Sequence, residues 1–436
     1  MPSRSRERSG TRICRPSSPV TRTSPRSRPS SAASGVTGRT RSPRSSSPRF
    51  AGKPAGADSP IPRKNSKIET RLSTILPVPA APTRIDGITA VVCNYNGESY
   101  LEECIRSVKS QEGVSEIIVV DDASSDASLA VLAELFPEVR VIQQLENAGP
   151  CVARNAGMRA ARHRFVLAVD NDAVLRPGVV ARLKGALEDR PRCAVAMVRS
   201  VIYEDPDRIH YDSGDFHYVG LLSLRNFHTP LRDVGEPRIV ETSALIGICA
   251  LMDRDAVLLA GGYDEEFFYL AEDYELSYRL RALGETLVSV EDAIVLHRGG
   301  TAGLSFRGGG YPERRAYLHA RNRMWILLKC YRWRTLLCAL PGILLYELVW
   351  LAFTVKTGHL RVGLAGKFAA LRSLSRMLEK RRTLQRNRSV SDRELLVGGP
   401  LTFSPSLLSS GPARAGARAL DASLRTWWFL VRPFVG

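Results

Sequence analysis

Arg164-Phe165-Val166-Leu167-Ala168-Val169-Asp170-Asn171-Asp172-Ala173 is the stretch on which the reading of this chain turns. The apolar run 165–169 fits a strand buried on both faces of a sheet. Two carboxylates follow where such a strand leaves the sheet, and in open α/β sheets ligands gather outside the carboxyl ends of the strands. Carboxylate oxygens there suit a hard divalent cation that also holds substrate phosphates. Asp-Asn-Asp is equally good turn chemistry, so the flanking sequence has to decide.

Upstream, residues 88–93, 116–120 and 139–143 read as further buried strands. Helical spacing is expected between them at 100–110, 128–136 and from Pro150 to about 162, with Ser125 or Asp126 as a cap and Pro150 in a first turn. Downstream, a helix is expected at 177–190 and a strand at 194–201. Residues 203–238 are polar and rich in Asp, His and Tyr, and are expected to be an irregular loop, either functional or flexible. Strands at 244–252, 286–290 and 293–296 and helices at 254–260 and 274–283 complete the pattern. Alternating strands and helices of these lengths predict βαβ units, a largely parallel sheet, and carboxyl ends on a common edge.

The chain has 436 residues and a formal net charge of +18, which permits two or three domains. The charge is uneven: residues 1–70 hold sixteen Lys/Arg against three Asp/Glu. A basic tail of Ser, Arg, Pro and Gly buries too little to offset its ordering entropy, so residues 1–84 are expected to be disordered. The remainder is only mildly basic, which argues against a nucleic-acid partner. The first fifteen residues lack the apolar core of a secretory signal. The eight cysteines form no Cys-x-x-Cys pair and read as small buried hydrophobes in a reducing compartment.

From residue 311 the character changes. A 21-residue apolar run at 335–355, broken by Pro341-Gly342 and Glu347, has the length of one spanning helix. It is also compatible with an interfacial hairpin or a buried helix. Residues 357–397 are basic, and Trp427, Trp428 and Phe429 stand beside Arg425 and Arg432 as in a membrane-surface helix. The alternative is a helical cap on the preceding domain. The expected organisation is therefore a tail at 1–84, an α/β domain at 85–310 and a helical, membrane-associated region at 311–436.

Six segments now stand in order: VVCNYNG (91–97), EIIVVDDASSD (116–126), NAGPCVARNAG (147–157), VLAVDND (166–172), YLAEDYELSYRLRALG (269–284) and IVLHRGG (294–300). Each is weak alone, but together, over residues 88–300, they resemble family 2 glycosyltransferases of the GT-A fold, most closely the rhamnosyltransferase-type branch. The resemblance implies an inverting transfer of a hexose or deoxyhexose from a UDP- or dTDP-sugar to a lipid-linked or polysaccharide acceptor. It also implies a Mg2+ or Mn2+ cofactor and a place on the cytoplasmic face of the cell membrane, in envelope glycan synthesis.

Beside that resemblance, the residues carry their own chemistry. A departing nucleoside diphosphate accumulates negative charge, which a divalent cation stabilises. Asp172 is the candidate direct ligand, with Asp170 facing the cation's water shell or the ribose. His297 either completes the metal site, touches the diphosphate, or is merely a polar strand end. Asp121 or Asp122 can accept the imide N–H of uracil or thymine, or cap a helix. Tyr95 can pack on the base, with Asn94 and Asn96 nearby. Arg154 either neutralises phosphate or orients Asp170. Asp273 is the candidate general base, with Glu272 holding geometry or contacting the acceptor. Both acids also suit a helix N-terminus. Phe267, Phe268 and Tyr269 form either an acceptor wall or core, and the glycine-rich stretch 299–310 either a lid or a linker. Two other readings remain. A nucleotidyltransferase would want a basic, glycine-rich loop where Asn94-Tyr95-Asn96-Gly97-Glu98 stands. A non-catalytic membrane scaffold would not need acids at 172 and 273.

Overall fold

A computed structural model of the chain describes residues 85–299 and 311–436. The tail expected at 1–84 and most of the glycine-rich stretch lie outside the described residues.

The first half alternates as expected: β1 (Ile85–Asn94), α1 (Leu101–Lys109), β2 (Val114–Asp121), α2 (Ser128–Leu135), β3 (Arg140–Gln143), α3 (Pro150–Ala160) and β4 (His163–Asp170). Their strands run in the order β3-β2-β1-β4, all parallel. The side-chain alternation explains the two-sided burial. Val91, Ile118, Val120, Val166 and Ala168 face one core with Met158 of α3. Ala90, Val92, Val119, Leu167 and Val169 face the other, with Leu101 and Ile105 of α1. Each such buried Val, Leu, Ile or Met side chain contributes about 1.5–3 kcal/mol relative to exposure.

The sheet continues through β5 (Ala173–Leu175), β6 (Cys193–Ile202), β7 (Asp205–Tyr211), β10 (Ile239–Thr242), β11 (Cys249–Asp253) and β12 (Thr286–His297), with α4 (Val179–Glu188), α5 (Arg254–Leu259) and α6 (Glu272–Ala282) between them. β11 lies antiparallel between β4 and β6, and β12 runs parallel to β6. The result is the expected mixed, mostly parallel sheet flanked by helices.

Several local expectations need correction. Residues 203–238 are not irregular: they contain β7, β8 (Ser213–His217) and β9 (Leu221–Arg225). Within this segment Asp212, Ser213, His217 and Ser223 are buried. Arg199, Asp212 and Glu291 are buried together, with both carboxylates 3.2 Å from Arg199, so paired charges replace the apolar alternation expected of a strand. The strand expected at 244–252 is confined to β11, because the backbone before it turns to meet α6. The two strands expected at 286–296 are one, with an irregularity in pairing between Val290 and Ile294.

Downstream lie α7 (Glu313–Cys330), α8 (Trp333–Lys356), α9 (Leu360–Arg372), α10 (Leu374–Asn387), α11 (Asp392–Leu395), β13 (Leu396–Val397) and α12 (Gly411–Val431). The run at 335–355 forms the single helix α8, with Pro341 inside it. β13 joins β8 and β9 in a small second sheet. Trp325, Ile326, Ala339, Leu424 and Trp428 share one core with Val91 and Val166, so these helices close the face of the sheet that α3 begins to cover.

Candidate active site

The parallel register sets the site. Cys93 is opposite Asp170 and Asn94 opposite Asp121, so three strand ends reach one edge. Just beyond β4, β5 pairs with β12 and sets His297 opposite Ala173. Side-chain ligand atoms of Asp170, Asp172 and His297 thereby lie within 4.8 Å of one another. His297 Nε2 is 3.3 Å from Asp172 Oδ1. Its Nδ1 meets Nδ1 of His210, on β7, at 2.9 Å, which fixes the ring. Two carboxylates and an imidazole are a donor set that fits Mg2+ or, with its tolerance for nitrogen, Mn2+.

Arg154, one turn into α3, is 4% exposed and lies among acids. Nη2 donates to Asp170 Oδ1 at 2.8 Å and to the Gly247 carbonyl at 3.1 Å. Nη1 is 3.5 Å from Glu272 and 3.8 Å from Asp273. Of the two expected uses of Arg154, the geometry matches orientation of Asp170, with the guanidinium buried rather than offered to solvent. Burial pushes Asp170 up to about 6, against the pull of Arg154.

Glu272 and Asp273 occupy the first turn of α6, not the residues before it. Asp273 Oδ2 accepts the Gly247 N–H at 2.8 Å, while its Oδ1 makes no hydrogen bond among the described residues. The close approach requires glycine at 247: a Cβ there would lie 2.7 Å from Asp273 Oδ1. Burial raises both carboxyls above the ordinary carboxylate range, and for Glu272 the charge of Asp273 raises it further. A carboxylate tuned upward is a better proton acceptor near neutral pH.

The loop before α6 is strained. Phe268, Leu270 and Ala271 all have positive φ (65–67°) without being glycine, and such backbone persists only where its surroundings over-determine it. Here α7 supplies the constraint. The fully buried Asn322 donates through Nδ2 to the carbonyls of Phe267, Tyr269 and Leu270 at 3.0, 2.9 and 2.6 Å. Arg321 adds bonds to the Glu266 and Phe267 carbonyls. Below them, Lys329 bridges Asp264 and Glu275, each at 2.6 Å. No local sequence signal marked Asn322 or Lys329, since both bind partners some fifty residues away. His210 did fall within a stretch noted for its histidines. Of the three aromatics, Phe267 is core, against Trp325, while Phe268 and Tyr269 are half-buried.

On the opposite flank, Asp122 accepts the Ala148 and Gly149 N–H groups at 2.9 and 2.8 Å, pinning the entry to α3. Asp121 accepts from Asn94 Nδ2 and from the Ser124 N–H and hydroxyl. Asn94 Oδ1 receives Asn171 Nδ2 at 2.7 Å, and Asn96 Oδ1 receives the Ser125 N–H. These side chains build the loops around the edge. Tyr95 stands 40% exposed beside them.

Known proteins resemble this chain in sequence. The chain is 41% identical over 107 residues to the succinoglycan biosynthesis protein ExoO of Rhizobium meliloti, covering 24% of this chain and 31% of that one. It is 26% identical over 236 residues to the N-acetylglucosaminyl-diphospho-decaprenol L-rhamnosyltransferase of Mycobacterium tuberculosis, covering 49% and 76%. Glycosyltransferase GlyG of Streptococcus pneumoniae is 30% identical over 220 residues, covering 48% of this chain and 70% of that protein. Several curated relatives are matched over less than two thirds of their own length. With a family model described as "Glycosyl transferase family 2" matching residues 89–258, and the match to GlyG extending over most of that protein, the chain belongs to glycosyl transferase family 2.

Proposed function

We propose that this chain is a metal-dependent, inverting glycosyltransferase. It moves a hexose or deoxyhexose from a UDP- or dTDP-sugar to a lipid-linked or polysaccharide acceptor, at the cytoplasmic face of the membrane, in envelope glycan synthesis. One observation carries the reading: Arg154 joins Asp170, in the acid–imidazole cluster, to Asp273, so a candidate cation-binding set and a buried carboxyl meet around one guanidinium. The succinoglycan and rhamnosyltransferase relatives, by their names, support the acceptor class.

Asp170, Asp172 and His297 would hold Mg2+ or Mn2+, which supplies Lewis-acid stabilisation of the diphosphate leaving group. Tyr95 packs on the base, and Asp121 and Asp122 support the loops that receive it. Asp273 does the proton chemistry. Oδ2 is fixed by Gly247, leaving Oδ1 to take the acceptor hydroxyl's proton as that oxygen bonds to the anomeric carbon. The bond from that carbon to the diphosphate breaks on the opposite face, and the diphosphate departs with the electron pair. Arg154 and Glu272 hold Asp273 in position, and α7 holds the loop that presents it.

The test is a panel of nucleoside diphosphate sugars, each assayed with Mn2+ for released nucleoside diphosphate in the presence of lipid-linked and free glycan acceptors. Acceptor-dependent release from one donor is expected. No release from any donor, together with no thermal shift from UDP, dTDP or GDP plus Mn2+, would overturn the reading.

A further inference from the structure

We infer that α8 lies in the plane of an anionic bilayer, with α9 and α12 beside it, and does not cross it. This deepens the membrane-surface part of the proposed function and rests on that reading for the acceptor alone. Among the described residues α8 is the one helix long and apolar enough to span a membrane. Its inner face, however, is committed. Thr335, Ala339, Gly342, Tyr346, Trp350 and Thr354 are buried against the rest of the protein. Gly342 is needed there because a Cβ would lie 2.1 Å from the Tyr218 hydroxyl. Tyr218 in turn stacks on Trp428 of α12 at 4.8 Å. Midway along α8, Glu347 is ion-paired to Arg323 of α7 and Lys367 of α9. Withdrawing α8 into a bilayer would strand these charges and open the core.

The outer face is the reverse. Leu337, Leu340, Leu344, Leu348 and Leu351 recur every three or four residues and are 44–72% exposed. On the neighbouring helices Phe368 of α9 and Phe429 of α12 are also exposed, at 55% and 80%. Leu351 and Leu364 line one shallow groove where α8 meets α9. Exposed leucines recurring along one helix face are the pattern that marks a membrane or protein contact.

Charge identifies the occupant. Residues 333–386 carry ten Lys/Arg and two Asp/Glu, and one of those two acids is Glu347, paired inward. Arg334, Lys356, Arg361 and Arg372 are exposed around the strip. A second copy docking face to face would bring two basic rims together. An anionic headgroup layer neutralises the rim while its acyl boundary takes the leucines, the arrangement of an interfacial helix.

The experiment floats the full chain with phosphatidylcholine vesicles, with and without phosphatidylglycerol, and repeats it with Leu344→Glu/Leu348→Glu. Both substituted side chains are exposed, so the variant should fold. Phe368→Glu replaces it if circular dichroism shows otherwise. Capture by phosphatidylglycerol vesicles is expected, reduced about tenfold or more in the variant, with the wild type released by alkaline carbonate. Undiminished capture of the variant would overturn the inference and assign binding to the basic residues 1–70. So would material that only detergent extracts, or absence of capture with a dimer that the variant splits in light scattering. Donor binding with Mn2+, followed by thermal shift on both proteins, separates the two claims. Intact binding without vesicle capture sinks this inference alone, and absent binding sinks the proposed reaction.

Discussion

The two acidic groups of the site are mounted differently. Asp170 and Asp172 leave β4, whose neighbours, β1 and β11, lie on either side of it in the same sheet. Glu272 and Asp273 follow a loop with three left-handed, non-glycine residues, held by a helix fifty residues further on. The first group takes its backbone position from the sheet, with Arg154 orienting the Asp170 side chain. The second needs strain opposed from outside, and strain of about 1–3 kcal/mol per residue relaxes once its restraint is removed. The proposed metal edge is thus set by the sheet, whereas the proposed base is placed by a separable device.

The sharpest break is Asp273→Asn, expected to lower turnover about 10²–10⁴-fold while donor binding with Mn2+, read by calorimetry, is retained. Full turnover would remove Asp273 from the chemistry and leave the comparison without its second member. Asp172→Ala should act on the other side, weakening metal-dependent nucleotide affinity on the order of 10–100-fold. Unchanged calorimetric affinity with and without Mn2+ would contradict that.

Asn322→Ala distinguishes the mounts themselves. Three carbonyls, one of them fully buried, lose a donor, worth about 1–3 kcal/mol in stability, and kcat should fall about tenfold at unchanged donor affinity. A fall in donor affinity instead would show that α7 restrains both groups alike.

The smallest effect concerns pH. Glu272 and Asp273 are held protonated above the usual carboxylate range by burial, and Glu272 also by its neighbour's charge. Activity that needs ionised Asp273 should therefore rise with pH toward neutrality. Glu272→Gln, removing one charge, should move that limb to lower pH in kcat/KM profiles. The sign for stability is opposite. The folded state keeps protons that the unfolded chain releases, so the pair's contribution declines as pH rises from the ordinary carboxylate range toward neutrality.

The proposed metal edge was legible in the sequence because the determinants of Asp170 and Asp172 are local. Five apolar residues and two acids suffice to place Asp170 and Asp172 at a strand end, and the alternation from residue 88 to 170 does the rest. The second group was legible as residue types but not as a mount, since Asn322 and Lys329 announce nothing of the carbonyls and acids they serve. The strands at 205–225 were missed for a related reason. Asp212 and Arg225 look like loop residues until Arg199 and Glu291 are brought against them, and β8 gains a neighbour from residues 396–397. The same distance effect shortened the strand expected from 244, where Gly247 is given over to Asp273.

Arg154 leaves a practical consequence for anyone dissecting this centre by substitution. One guanidinium is divided among Asp170, Glu272 and Asp273, so neutralising any of the three releases attraction to the other two. Single replacements will therefore report overlapping losses, and their logarithms will not sum in the double variants. Pairs such as Asp170→Asn with Asp273→Asn will measure this shared counter-charge more faithfully than either change alone.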